Sequence, residues 1–236
     1  MYKKEKYLAL IVARKGSRGL KEKNLKKIKS RPCIDWTFIE SKKSKLIDKI
    51  LLSTDCEKII NIAKRYNILT PFKRPNYLAT DNVSVLKVIN HALNWVKKNI
   101  HEKYDYIILL QPTSPLRKAK HIDEAIAHFS KNKKNYKTKL VSAFKLNKKY
   151  NWVMTIKKKL YCNFISNYLD LKTLRRQKNN QIILPNGAIF ISSIKDIKSG
   201  FYNNYTLFYL MEKKDSIDID TLEDFKKINK QNVKTL

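Results

Sequence analysis

Short apolar runs alternate with amphipathic stretches along most of this chain. Tyr7-Leu-Ala-Leu-Ile-Val-Ala13 is continuous, too short for a helix of its own and rich in β-formers, so it predicts a buried strand. Residues 49–53 and 106–110 have the same character. Between them, residues 34–43 and 57–66 carry helical spacing, the second with Ile59, Ile60 and Ala63 on one face. Residues 82–98 form a longer amphipathic stretch, with Val85, Val88, Ile89, Ala92, Leu93 and Val96 on one stripe, and 119–129 follow the third strand as another. Strands alternating with helices over short connections predict an α/β fold: a mostly parallel sheet with helices on both faces. The period fails at about 146–184, a basic and aromatic stretch with Tyr150, Trp152, Tyr161, Phe164 and Tyr168. It resumes at 188–191, at 206–211 and in a final helix near 221–229. The expectation is one domain over 1–236 with an excursion at about 146–184, read as a subunit contact, a lid or a satellite cluster.

Composition narrows the class. With 43% apolar residues, 4 Gly and 6 Pro in 236 residues, the chain is neither collagen-like nor largely disordered. No apolar run approaches the roughly 20 residues that cross a bilayer, so no membrane association is expected. The first apolar run ends in Arg14 with no small-residue cleavage site, which makes it a strand and not a signal peptide. Three cysteines, with no C-x-x-C, argue against a disulfide framework and for a reducing cytoplasm. The charge is extreme: 51 Lys+Arg against 20 Asp+Glu, a net +31. That is the footprint of a phosphate-backbone binder. Yet 43 of the 51 cations are lysines, dispersed through stretches such as 21–29, 131–139 and 226–234, as a solvated surface would be. No nucleic-acid partner is expected, and the basic nucleic-acid-binding α/β protein stands as the reading from a different class.

Ligands of open parallel sheets bind beyond the carboxyl ends of the strands, so the loops there carry the chemistry. After the first strand, Arg14 to Asn24 hold Gly16, Gly19, Arg18 and Lys23, a basic glycine-containing turn suited to a polyphosphate or to a plain surface turn. It is neither a Walker A loop nor a dinucleotide fingerprint. Ser53-Thr54-Asp55 follows the second strand. After the third, Pro112 and Pro115 stiffen a loop that would present Gln111, Thr113 and Ser114, with Arg117 nearby, or would serve as a structural turn. Asp81 is expected to cap the helix that follows it. Five of the 20 acids fall within residues 215–224. An extended backbone there puts Asp218 and Asp220 on one side, with Ile217 and Ile219 inward, and such paired carboxylates suit Mg²⁺. Glu223 and Asp224 are explained by a helix N-terminus. The four histidines lack metal-ligand spacing, which disfavours zinc.

In their order along the chain, these segments resemble the bacterial acylneuraminate cytidylyltransferases, the CMP-sialic acid and CMP-nonulosonic acid synthetases. The resemblance rests on Ile11-Val-Ala-Arg-Lys-Gly-Ser-Arg-Gly19 with Lys23-Asn24, Ser53-Thr-Asp55, Arg74-Pro75, and Leu78-Ala-Thr-Asp81. It continues through Leu110-Gln-Pro-Thr-Ser-Pro-Leu-Arg117, Arg176-Gln177, Pro185-Asn-Gly-Ala-Ile189 and Asp215-Ser-Ile-Asp-Ile-Asp-Thr221. It implies a three-layer Rossmann-like nucleotidyltransferase fold, transfer of CMP from CTP to the anomeric hydroxyl of a nonulosonic acid, release of pyrophosphate, and dependence on Mg²⁺. By the same resemblance Arg14, Gly16, Ser17, Lys23, Asn24, Arg74 and Ser84 would bind CTP, with Arg14 and Lys23 on the triphosphate. Gln111, Arg176 and Gln177 would face the sugar acid, and Asp218 with Asp220 would carry the metal. Arg14, Lys23, Asp218 and Asp220 are thereby the catalytic candidates. The excursion would make a homodimer and could present Arg176 to the partner's site. Val85 stands where family members often place a serine. CMP-Kdo synthetase is the nearest rival.

Overall fold

The computed structural model describes residues 5–16, 19–147, 154–157, 161–164 and 181–230. In chain order the elements are β1 (Tyr7–Ala13), β2 (Lys27–Ile28), β3 (Arg31–Pro32), α1 (Cys33–Lys43), β4 (Lys49–Thr54), α2 (Glu57–Arg65) and α3 (Val85–Asn99). Then follow β5 (Tyr106–Leu110), α4 (Ala119–Asn132), β6 (Lys139–Lys145), β7 (Met154–Lys157), β8 (Tyr161–Phe164), β9 (Ile183–Ser193), β10 (Thr206–Leu210) and α5 (Leu222–Lys230).

Six strands form the main sheet in the order β10-β6-β9-β5-β1-β4. The pairs β1–β4, β1–β5 and β6–β10 are parallel, while β9 runs antiparallel to both neighbours. The sheet is therefore mostly parallel, as the alternating pattern predicts. Successive β1 side chains point to opposite faces. Tyr7, Ala9, Ile11 and Ala13 join a core with Phe38, Ile122, Ile126 and Phe129, and Leu8 and Leu10 join Ile89, Ala92, Val96 and Phe201 on the other side. Helices α1, α2 and α4 cover the first face and α3 the second, giving three layers. A third, smaller core of Leu20, Ile28, Cys33, Leu116, Ile219 and Ile228 seats α5 against the loops at the carboxyl ends of β1 and β5.

Three departures from the sequence pattern have clear causes. The strand expected at 188–191 begins at Ile183, because Pro185-Asn186-Gly187 makes an irregularity within β9 and not a turn before it. Ser142 fills that irregularity, its hydroxyl accepting from Ile189 N at 2.8 Å and donating to Asn186 Oδ1 at 2.5 Å. The lysines of 131–139 are not all solvated: Lys139 is fully buried, and its ammonium donates to Ser192 Oγ at 2.9 Å and Asp196 Oδ2 at 2.6 Å. Glu40, also buried, reaches from α1 to accept from Ala119 N at 2.7 Å, so an acid of α1 caps the start of α4. Of the excursion, the antiparallel β7–β8 pair is described. No helix among the described residues is long and apolar enough to cross a membrane.

Candidate active site

A cavity of about 390 Å³ opens at the carboxyl ends of β1 and β5. It is lined by Arg14, Gly19, Lys23, Asn24, Arg74, Asp81, Gln111, Thr113 and Asp220, with an apolar wall of Val12, Leu78, Val83, Val85, Val88 and Leu109. Its floor is built by one arginine. Arg74 is buried, and its Nη2 donates to Ala13 O and to Ser53 O, the latter at 2.7 Å, tying together the ends of β1 and β4. Its own N–H bonds Thr54 O at 2.8 Å. Burial pulls the guanidinium down to about 10, which leaves it cationic at neutral pH. Its Nε has no partner among the described residues. Asn24, beside it, donates from Nδ2 to Arg14 O at 3.2 Å and keeps a buried, unpartnered Oδ1. Unsatisfied buried polar atoms carry a cost, and two at the base of one cavity mark a place where a ligand's donors and acceptors would be taken up.

The acidic segment crosses the mouth of the cavity. Ile219 N bonds Thr113 O at 2.8 Å, so residues 217–220 lie against the loop after β5, with Ile219 buried as the alternation requires. The Lys23 ammonium bonds Ile219 O at 2.8 Å and Asp220 Oδ1 at 2.9 Å. Asp220 is exposed, whereas Asp218 sits deeper; burial raises its carboxyl above the usual range, and the neighbouring Asp220 charge adds to the effect. Asp218 accepts from the Thr113 side chain, yet its Oδ1 is buried without a partner among the described residues.

Two glycines let this arrangement close. A Cβ on Gly187 (φ +72°) would stand 3.1 Å from Gln111 Oε1 and 3.2 Å from Asp218 Oδ2. One on Gly19 would collide with the Asp220 carbonyl oxygen. Gly16 is different: nothing lies within 4 Å of its would-be Cβ, and it stands on the open side of the loop.

The structure thus gathers Arg14, Lys23, Asn24, Arg74, Gln111 and Asp220 around one cavity, with Asp218 directly behind it. Ser84 is placed outside the lining, between Val83 and Val85. Ser17, Arg176 and Gln177 lie outside the described residues. Asp81 is not the cap expected of it. Ser84 caps α3, its Oγ accepting from Leu86 N at 3.2 Å, and Asp81 pairs instead with the Arg14 guanidinium. Arg117 is not a site cation either. It is fully buried, with Nη1 donating to Gln111 O at 3.0 Å and Ala188 O at 2.8 Å, and Nη2 to Thr37 Oγ1 at 2.8 Å. It stiffens the Gln111 loop from beneath. Asp224 accepts from Thr221 N at 3.0 Å and Thr221 Oγ1 at 2.7 Å, the helix-start role expected for it. The apolar wall and Gly187 went unassigned from sequence, although both lie in or beside quoted motifs.

Comparison with known proteins agrees with this geometry. A family model described as "Cytidylyltransferase" matches residues 8–234. The N-acylneuraminate cytidylyltransferase of Escherichia coli O18:K1:H7 is 34% identical over 223 residues, 93% of this chain and 50% of that protein. The N-acylneuraminate cytidylyltransferase of Streptococcus agalactiae serotype III is 32% identical over 228 residues, 93% of this chain and 52% of that one. The CMP-N,N'-diacetyllegionaminic acid synthase of Legionella pneumophila is 31% identical over 222 residues, 92% of both chains. The chain thus spans about half the length of the first two relatives and nearly all of the third. A solved CMP:2-keto-3-deoxy-manno-octonic acid synthetase complexed with CTP superposes with a TM-score of 0.68, covering 95% of this chain and 97% of that one. At 12% identity that likeness is one of fold. The family match takes in every segment that builds the cavity, from Arg14 to Asp220, and on that ground the chain belongs to the cytidylyltransferase family.

Proposed function

We propose that the chain transfers CMP from CTP to the anomeric hydroxyl of a nonulosonic acid and releases pyrophosphate. The observation that carries this reading is the division of one cavity into an apolar wall over the buried Arg74 and Asn24, and a charged mouth of Arg14, Lys23 and Asp220. The first suits a pyrimidine base with polar edges, the second a triphosphate. Ser84, at the start of α3 beside that wall, and Gly16 with Ser17, on the loop before Lys23, belong to the same nucleotide reading.

In this mechanism the sugar hydroxyl oxygen bonds to the α-phosphorus as the bond to the bridging oxygen breaks and pyrophosphate leaves, and the hydroxyl proton passes to solvent. Little covalent work falls to the protein; its part is alignment and charge neutralisation. Arg74 and Asn24 orient the base, Arg14 and Lys23 hold the phosphates, and Gln111 faces the sugar acid together with Arg176 and Gln177. The residues also fit a divalent cation. Asp218 offers an unpartnered buried oxygen next to Asp220, and the Ile219–Asp220 edge already takes the Lys23 ammonium. With Asp218 and Asp220 as its protein carboxylates, Mg²⁺ would fill its remaining positions with substrate phosphate oxygens and water. When bound, Mg²⁺ supplies positive charge to the phosphate oxygens. The excursion at about 146–184 is read as the contact of a homodimer, and buried free Cys33 and Cys56 accord with a cytoplasmic enzyme.

Product identity tests the reading. Incubation with CTP, Mg²⁺ and a panel of sialic, legionaminic, pseudaminic and Kdo acids should give a CMP-sugar phosphodiester by ³¹P NMR with a nine-carbon acid. Product with Kdo alone would move the reading to the eight-carbon branch. Product with none of them would refute it.

A further inference from the structure

Two acids beside the cavity take no part in the mechanism above. Asp55 accepts from Lys15 N at 2.9 Å and so fixes the backbone as it leaves β1. Asp81 does something else: its carboxylate pairs with the guanidinium of Arg14, the first cation of the phosphate-binding segment. Both partners line the same cavity.

We propose that Asp81 is a positioning residue that holds Arg14 as an exchangeable counter-ion, and that the phosphate chain of an incoming nucleotide takes Arg14 from it. This rests on the nucleotide reading of the cavity. Four features support it. The helix-capping task near Asp81 is already performed by Ser84, so Asp81 is not required to start α3. The backbone of Arg14 and Lys15 is fixed by Asn24 and Asp55, which leaves the Arg14 side chain as the part able to change partners. The Arg14 and Asp81 side chains keep 29% and 45% exposure, so the pair is reachable by a ligand and is of the weak, solvent-screened kind. Finally, Arg14 lies near enough to Arg74 for the two guanidiniums to repel. Asp55 offsets the charge of Arg74, and Asp81 on the outer side offsets that of Arg14 and draws it away from Arg74. A phosphate chain carries several negative charges and outcompetes a single half-exposed carboxylate.

The mechanism has a direction that a structural role lacks. Removing the Asp81 charge removes both a competitor for Arg14 and a repulsion against the ligand, so phosphate binding should tighten. The test is calorimetric titration of the full chain with pyrophosphate, CTP and phosphate-free cytidine. Asp81→Asn should bind pyrophosphate about fivefold more tightly than wild type at low salt, with the gain falling below about twofold at half-molar salt. Cytidine affinity should be unchanged, and Asp81→Glu, which keeps the charge, should stay near wild type. If wild type binds CTP and pyrophosphate but Asp81→Asn binds pyrophosphate equally or more weakly, the counter-ion inference falls and the nucleotide reading stands. If Asp81→Glu tightens as Asp81→Asn does, charge is not the cause and the inference also falls. If wild type binds neither CTP nor pyrophosphate, both fall together.

Discussion

Gly187→Ala puts a single methyl group where the site has no room for it. At φ +72° any L-residue other than glycine carries a conformational cost of about 1–2 kcal/mol. The added Cβ would then stand 3.1 Å from Gln111 Oε1 and 3.2 Å from Asp218 Oδ2, each a few tenths of an ångström inside comfortable contact. Gln111 can swing away at small cost. Asp218 is confined by Thr113 and by its own burial, so part of the strain stays. Together these give a loss of roughly 1.5–3 kcal/mol. For a chain of this size that is a fall in Tm of about 3–12 °C by calorimetry. Turnover should fall by about 10- to 100-fold, because the displaced groups are the amide proposed to face the sugar acid and a candidate metal carboxylate. Gly16→Ala is the matched control for stability, since its Cβ would enter open space at an ordinary φ; it should leave Tm within about a degree. A Gly187→Ala variant that melts with wild type, or a Gly16→Ala variant that lowers Tm more than Gly187→Ala does, would overturn this assignment.

Other substitutions test the scaffold. Asp196→Ala leaves the buried Lys139 ammonium without its carboxylate and should cost about 3–5 kcal/mol in urea unfolding, much of it recovered in the double variant with Lys139→Met. The hydrogen bond from Lys139 holds the Asp196 carboxyl below its unfolded range, so this contribution is present above the unfolded pKa and is lost as pH falls through the folded one; Asp196→Ala should flatten wild type's acid-side loss of stability. Arg117→Lys should cost about 2–4 kcal/mol, because one ammonium cannot serve Gln111 O, Ala188 O and Thr37 Oγ1 together. Ser84→Ala should cost about 1 kcal/mol through loss of the α3 cap, measured by chemical denaturation.

The elements that sequence made legible are those whose pattern is local. The apolar runs of β1, β4 and β5 and the stripe of α3 needed no partner to be read. The acidic 215–224 segment also stood out, since its alternation of Asp218 and Asp220 with Ile219 follows from an extended backbone. What escaped depends on contacts far apart in the chain. Lys139 looks like any other lysine until Asp196 folds over it. Arg117 looks like a site cation because nothing in its own loop shows that Ala188 O and Thr37 Oγ1 converge on it from β9 and α1. Asp81 and Ser84 are three residues apart and both good caps, and only the approach of Arg14 decides which of them is free to be one. Of the cavity's apolar wall, Val85 and Val88 belong to the α3 stripe and Val12 and Leu109 to strand runs, and no local pattern shows that they meet at one cavity.

On the proposed function, the cavity between β1, β5 and the acidic segment would select CTP and direct attack on its α-phosphorus. Initial rates of pyrophosphate release, measured with each of the four nucleoside triphosphates and a nonulosonic acid, test it most directly. Release is expected with CTP and little with the other three, with a loss of at least about 100-fold in Arg14→Ala, which removes a cation from the phosphates, and in Asp220→Ala, which removes a carboxylate proposed to hold Mg²⁺. Equal rates with all four nucleotides, or an Asp220→Ala variant as fast as wild type, would contradict it.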